Sequence, residues 1–277
     1  NNFYPMKEID YIIEKSRNND LLTKKELVEI LSYPSASTES FLMMAEANRI
    51  SRMLTGNRSE IHAQFALNLA PCGCNCLFCS FAAVNNIFNE KMELTVEEAV
   101  HHSVNFEQAG ANAIFVMATA SYPFGKFIEY SKEIREKLNP ETVLIANVGD
   151  ATPEEARKLK DTGFQGVYHA LRLREGIDTT LDPEKRKQSI RNFKEAGFGV
   201  GTCVEPVGPE HTNEELAEMI LFTASINPSY SGAARRITIP GGQLEDKGMI
   251  SELRMAQIVA ATRLAMPRTT IGNCTHE

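Results

Sequence analysis

The stretch Pro71-Cys72-Gly73-Cys74-Asn75-Cys76-Leu77-Phe78-Cys79-Ser80 decides how this chain is read. Cys72, Cys76 and Cys79 are spaced Cys-x3-Cys-x2-Cys and follow directly on a strand-like run, Ile61 to Ala70. Three thiolates on one short loop can hold three irons of a cubane 4Fe-4S cluster, which leaves the fourth iron without a protein ligand. A pure electron carrier normally supplies four thiolates. An open iron is useful where a small molecule must chelate it. The competing readings are a zinc site, an ordinary electron-transfer cluster and structural thiols. Zinc favours two well separated Cys-x2-Cys pairs, whereas Cys203 and Cys274 are lone and distant. A disulfide framework fits poorly in a chain of 277 residues with no signal-peptide pattern.

Composition bounds the remaining classes. Hydrophobic content of 43% and charged content of 23% are those of an ordinary globular protein. The length allows one large core or at most two domains. A net charge of −7 argues against a general nucleic-acid binder, which is normally basic. No run approaches the ~18 apolar residues of a membrane span, so the expectation is a cytoplasmic protein with no membrane partner. Six cysteines in a reducing compartment point to metal chemistry.

Working outward from the cysteines, a strand–helix rhythm starts at Ile61. Before it lie helical patterns at Lys7–Ser16, Lys24–Leu31 and Glu39–Leu54, the second opened by the capping box Thr23-x-x-Glu26 and the third stopped by Gly56. Strands are predicted at Ala63–Leu69, Ala113–Ala118, Thr142–Asn147, Gly166–His169, Gly199–Val204, Arg236–Ile239 and Thr269–Cys274. Helices between them carry their own punctuation: Thr95-x-x-Glu98 to Gly110, Thr152-Pro153 to Gly163, Asp182-Pro183 to Gly197, and Thr212-x-x-Glu215. Such alternation predicts an α/β fold of parallel strands with crossover helices. We read a (β/α) TIM-type barrel, incomplete because the chain ends on or just after its seventh strand; a doubly wound sheet is the alternative. The expected domains are an N-terminal helical extension over 1–60, packed on the barrel, and the barrel itself over 61–277. Chemistry then belongs at the C-terminal ends of the strands, where the cysteine loop lies and near which Cys203 and Cys274 fall.

The cysteine spacing, with an aromatic residue just before the third cysteine, resembles the radical S-adenosylmethionine (radical SAM) superfamily. The pre-barrel helices and the rhythm that follows resemble the group holding biotin synthase, the radical SAM maturase of iron–iron hydrogenase and methylornithine synthase. Ala196-Gly197-Phe198-Gly199-Val200 running into Val207-Gly208-Pro209-Glu210, the lead Asp182-Pro183-Glu184-Lys185-Arg186, and Met266-Pro267 before Thr269–Glu277 carry this resemblance. It implies a 4Fe-4S cluster and S-adenosyl-L-methionine as cofactors, a 5'-deoxyadenosyl radical and hydrogen abstraction from a small substrate. It also implies a reductant such as flavodoxin or ferredoxin; a homodimer is left open. C–S bond formation with an auxiliary Fe-S cluster, as in biotin synthase, is the first reading of the activity. Radical rearrangement or cofactor maturation is the second, and a non-catalytic iron–sulfur carrier or scaffold the third.

The resemblance also nominates individual residues. Cys72, Cys76 and Cys79 would ligate the cluster, and the Phe78 backbone would approach adenine. In many relatives the second strand ends in Gly-Gly-Glu, which binds the methionine amino group. Here it ends in Met117-Ala118-Thr119-Ala120-Ser121, leaving Thr119 and Ser121 as acceptors or as turn formers. Asn147 and Asp150 would reach the ribose, Asp150 being otherwise a turn residue before the cap Thr152, and Glu205 ribose or substrate. Arg172 or Arg174 would grip a carboxylate through the planar guanidinium fork; the alternative is a surface pairing with Glu175. Gly241, in Pro240-Gly241-Gly242-Gln243, resembles the adenine-side loop, though a glycine pair is also an ordinary turn. At the positions where biotin synthase ligates its second cluster, near Phe115 or Val116, Ile145, Gly201 and Ile271, no cysteine or arginine stands. A relocated cluster held by some of Cys74, Cys203 and Cys274 is the alternative to reading these as small buried hydrophobes. His276 beside Cys274 is a further candidate ligand or proton donor.

Overall fold

The structure is a computed structural model that describes residues 8–275, with side chains through Ile271. Two compact units are resolved. One comprises the chain up to Arg58, Thr202–Ile237 and the chain from Lys247; the other comprises Ser59–Gly201 and Thr238–Asp246. Helices α1 (Glu8–Arg17), α2 (Lys24–Ser32) and α3 (Thr38–Thr55) open the chain. The run β1 (His62–Ala66), α4 (Val96–Gln108), β2 (Ala113–Met117), α5 (Phe124–Lys137), β3 (Val143–Asn147), α6 (Pro153–Asp161), β4 (Gly166–Tyr168), α7 (Pro183–Glu195) and β5 (Gly199–Gly201) follows. Then come β6 (Val204–Val207), α8 (Asn213–Ser225), β7 (Tyr230–Arg235), α9 (Glu252–Ala265) and β8 (Thr270–Thr275).

Helix starts obey the punctuation of the sequence. Thr23, Thr95, Thr152 and Thr212 each accept from the backbone N–H three residues on, and the glutamate there returns the bond. Each box occupies two of the donors that a helix N-terminus leaves open, worth about 1 kcal/mol in the cap alone. Asp182 caps α7 without a box: its carboxylate accepts from the Glu184 N–H at 2.9 Å, ahead of Pro183 at the first helical position. Gly56 ends α3 at φ +59°, a left-handed conformation that costs glycine little.

In the unit built on Ser59–Gly201 the strands pair in chain order, β1 to β5, all parallel. A doubly wound sheet would reverse its strand order, so that alternative falls. The fold is of the incomplete (β/α) barrel class. Ala66 is level with Met117, Met117 with Asn147, and Tyr168 with Gly201, so the segments leaving these strands emerge along one edge. Ile114, Val116, Leu144, Ala146 and Val167 are at most 1% exposed and form the core that sets this register.

In the other unit β6, β7 and β8 are parallel neighbours. Helices α1 to α3 pack on α8 and α9. Ile9, Ile12, Leu27, Ile30 and Met43 are fully buried there, each contributing roughly 1.5–3 kcal/mol. Gln257 of α9, also fully buried, donates from Nε2 to the carbonyls of Ile30 (3.1 Å) and Tyr33 (2.9 Å) and to Ser40 Oγ (3.1 Å). Its Oε1 accepts from Arg254 (2.7 Å) and Ser35 (3.1 Å).

Two strand predictions need correction. The expected strand Gly199–Val204 is two strands, β5 and β6, with Thr202 and Cys203 between them. The expected strand Arg236–Ile239 is not a strand; β7 precedes it at Tyr230–Arg235. Ser231, Gly232, Ala233 and Ala234 have weak strand propensity, yet Ser231, Ala233 and Ala234 are buried because α9 packs on β7. Small side chains admit that close approach, and tertiary packing overrides local preference. Arg236 only extends the ladder by one bond, donating to the Val207 carbonyl at 2.9 Å, and its side chain pairs with Glu210.

Candidate active site

The cysteine loop joins β1 to α4 and is fixed by its own backbone before any ligand is considered. Leu69 donates to the Met92 carbonyl (3.1 Å) and Leu94 to that of Leu67 (2.8 Å), so the ends of the loop lie side by side. Within it, Cys72 donates to Phe81 (2.8 Å) and accepts from Ala83 (2.9 Å). Asn75, at φ +48°, accepts from the Val84 N–H through its side chain at 3.1 Å. The β4–α7 segment buttresses one side: Leu77 donates to the Asp178 carbonyl at 2.8 Å, and Thr180 donates to the Cys74 carbonyl from its N–H (3.0 Å) and its hydroxyl (2.9 Å).

Cys72, Cys76 and Cys79 are half-buried and Cys74 is buried. The three outer thiols lie near enough to feel one another's charge, and all three feel the Arg172 guanidinium. Cys72 is depressed to about 6, chiefly by a hydrogen bond with the Cys74 thiol, with backbone N–H groups of Cys74 and Ala120 and the Arg172 charge working against burial. Cys74 is driven upward by the same contact. Burial pushes Cys76 up to about 11 and also raises Cys79, while Arg172 opposes it in both. Soft sulfur donors gathered beside a cation are a set suited to iron, which binds them as thiolates.

Behind the loop lies a charged cluster in which His169 and Arg186 are buried and Asp150 is exposed. His169, just past β4 and 2% exposed, lies 3.0 Å from Asp150 Oδ1 through Nε2. Arg186 of α7, 3% exposed, places Nη1 at 3.0 and 3.2 Å from the two ring nitrogens of His169. Burial first, then the Arg186 charge, lowers His169 to about 4, so the ring is neutral at neutral pH. Asp150 stays below the usual carboxylate range: burial would raise it, but the His169 hydrogen bond and the Arg186 charge outweigh that cost. Arg186 Nε lies 3.2 Å from Asp150 Oδ1 but makes no hydrogen bond.

The nominated residues sort as follows. Thr119 is half-buried and tied to Asn68, accepting at Oγ1 and donating from its N–H, both at 2.9 Å; Ser121 is exposed. Asn147 ends β3, and Phe78 is half-buried in the loop. The two arginines part company. Arg174, at φ +56°, holds Asp178 at 3.5 Å. Arg172 faces the cysteines, with Glu175 3.9 Å away. Gly241 is exposed at φ +79°, and its N–H donates to Glu245 at 2.9 Å. Cys203 and Glu205, both buried, and Cys274 belong to the other unit. The backbone of Cys274 pairs with Ala234, and its side chain lies outside the description. His276 lies outside the described residues.

Sequence reasoning passed over His169, Asn85 and Gly149, and quoted Arg186 without a role. A Cβ at Gly149 would stand 2.2 Å from the Ala120 carbonyl oxygen, and Ala120 is the residue whose N–H meets the Cys72 thiol. No local pattern signals such a position, since the close approach is to the segment that follows a different strand, β2.

Residues 71–223 match the sequence model of the Radical SAM superfamily. Among curated relatives, biotin synthase of Prochlorococcus marinus (strain MIT 9515) is 26% identical over 261 residues, covering 90% of this chain and 75% of the relative. Biotin synthase of Corynebacterium urealyticum (strain ATCC 43042 / DSM 7109) is 24% identical over 256 residues, with the same coverage of 90% and 75%. Among solved structures, methylornithine synthase (PylB) superposes with a TM-score of 0.81 at 18% identity, over 94% of this chain and 78% of that one. HydG, a maturase of the [FeFe]-hydrogenase, gives 0.82 at 21% identity, over 97% and 63%.

Proposed function

Because the chain belongs to the radical SAM superfamily, we propose that Cys72, Cys76 and Cys79 hold a 4Fe-4S cluster whose open iron takes S-adenosylmethionine, and that the enzyme removes hydrogen from an unactivated carbon of a small substrate. The observation that carries this is the convergence of three half-buried thiols, beside Arg172, on a loop pinned at both ends. Bound together, cluster and S-adenosylmethionine supply a one-electron reductive cleavage and a carbon radical that abstracts hydrogen; the electron comes from an external reductant.

The chain's own residues bind and orient. Arg172 offers a guanidinium to a carboxylate next to the cysteines, and Arg186, held by His169 and Asp150, adds a second buried cation. Thr119, fixed by Asn68, presents its hydroxyl at the end of β2. Asn147, which ends β3, would take the ribose hydroxyls, and Phe78 and the Gly241 turn the adenine side.

For the substrate step we favour C–S bond formation, a reading supported by the biotin synthase relatives and by two further cysteines, Cys203 and Cys274, in one unit. A rearrangement, as the name methylornithine synthase denotes for that neighbour, is the second reading. It is favoured by the apolar Phe115 and Ile145, 7% and 8% exposed, where a biotin synthase-type second cluster needs ligands.

The test is anaerobic reconstitution followed by iron and sulfide counting and assay of 5'-deoxyadenosine on reduction. About four irons per chain supports rearrangement, and clearly more supports sulfur insertion. In the Cys76→Ala variant 5'-deoxyadenosine should be abolished; formation at the parental rate would remove the cluster assignment.

A further inference from the structure

One side chain joins the cysteine loop to a segment far along the sequence. Asn85 closes a single 3₁₀ turn, Ala83–Asn85, and is 4% exposed. Its Nδ2 donates to the Cys79 carbonyl at 2.7 Å and to the Leu77 carbonyl at 3.2 Å. Its Oδ1 accepts from the Gln243 N–H at 2.9 Å. The partners fix which amide atom is which: two carbonyls require a donor and one N–H requires an acceptor. A buried amide is costly unless its hydrogen bonds are made, and here the bonds to two separate segments make them.

The Gln243 segment is stiff in its own right. Gly242 donates to Ile239 (2.9 Å), Glu245 to Gly242 (3.1 Å) and Gly241 to the Glu245 carboxylate (2.9 Å). Gly241 takes φ +79°, which a residue with a Cβ rarely adopts. A Cβ on Gly242 would meet the Ile239 carbonyl oxygen at 3.0 Å. A compact turn over 239–245 therefore hangs from Asn85, and Asn85 holds the carbonyl of Cys79 with its other hand.

We propose that Asn85 is a positioning residue that sets the spacing between Cys79 and the Gly241-Gly242 turn. This rests on the functional reading above, in which the iron side takes the methionine end of S-adenosylmethionine and the glycine turn takes its adenine. The ligand is rigid only if its two anchors are mutually fixed, and preorganisation of this kind raises affinity by removing the ordering cost. Asn85 acts through Cys79 and Gln243 and touches neither end of the ligand.

Two variants of the anaerobically reconstituted chain separate the roles. Asn85→Ala loses all three bonds. Asn85→Asp keeps an oxygen towards Gln243 and loses the donor to Cys79 and Leu77. Three quantities are read: amide hydrogen exchange at Gln243, iron content, and the S-adenosylmethionine concentration that half-saturates the change in the electron paramagnetic resonance spectrum of the reduced cluster. We expect Gln243 exchange to quicken about tenfold in Asn85→Ala and stay slow in Asn85→Asp. Half-saturation should rise about tenfold in both, as loss of one or two hydrogen bonds predicts, with iron content unchanged. Parental half-saturation in both variants overturns the proposal. So does a rise accompanied by iron loss in both, which marks a merely structural role. A parent chain with no spectral response would overturn the functional reading instead; Gln243 exchange needs no ligand and still decides whether Asn85 ties the two segments.

Discussion

Gln257 in one unit and Arg186 in the other are both buried polar side chains, but only one is completed by the protein. Gln257 has three acceptors around Nε2 and two donors at Oε1, all supplied by α2, α3, α9 and the segment between α2 and α3. Arg186 holds His169 through Nη1 while its Nε makes no hydrogen bond, and thiols and Arg172 stand nearby. Buried polar groups are almost always hydrogen-bonded, and an exception calls for a reason. A closed network braces helices. Arg186 instead carries its charge beside the cysteine loop, where the ligand proposed above would feel it.

The comparison predicts opposite signatures. Gln257→Ala should cost the most stability, about 3 kcal/mol or more, because two backbone carbonyls lose their donor in a dry site. Denaturant unfolding reads this directly, and the affinity of the folded enzyme for S-adenosylmethionine should not move. If stability is retained and affinity falls, the distinction between the two networks is broken. Arg186→Lys should do the reverse. A lysine keeps the charge but not the fork, so we expect affinity for S-adenosylmethionine to fall about tenfold, ~1.4 kcal/mol, with a smaller change in unfolding free energy. Binding titrations on the reconstituted chain check it, and parental affinity would mean that Arg186 does not act on the ligand.

The smallest effect sharpens the closed side through pH. Glu46 of α3 is lowered from 4.5 to about 2, chiefly by its hydrogen bonds from Arg17, and Arg49 adds to the effect. A folded-state value below the unfolded one gives stability that is complete above about 4.5 and lost as pH falls from there towards about 2. Glu46→Gln should therefore lie below the parent in Tm at neutral pH, with the gap closing between those two values. A gap that persists unchanged at pH 2 would remove the carboxylate from the account.

Legibility in the sequence followed the range of the interaction. The helix caps at Thr23, Thr95, Thr152 and Thr212 are local hydrogen-bond motifs and are legible in the sequence, although the glutamate that completes the box at Thr152 is not part of that reading. Also legible are β1 to β4, whose apolar runs are bounded by glycine and polar turns. β7 was misplaced because its burial is decided by α9, not by its own small residues. The cysteine spacing announced the site. His169 and Asn85 did not, since each acquires its role from partners that only the parallel register and the loop turns bring together: Arg186, Gln243 and the carbonyls of Leu77 and Cys79.

The way the chain is divided has a consequence for biosynthesis. Ser59–Gly201 is nearly all of one unit, so that unit gathers its contacts from a single continuous segment. The other is assembled from three pieces, and α1, α2 and α3 find their partners α8 and α9 only after residues 59–201 have been made. Translation proceeds at roughly 5–20 residues per second, so the faces bearing Ile12, Leu27, Ile30 and Met43 go uncovered for many seconds on a nascent chain. These helices are made before the partners that cover them, and chaperone demand should concentrate on their apolar faces.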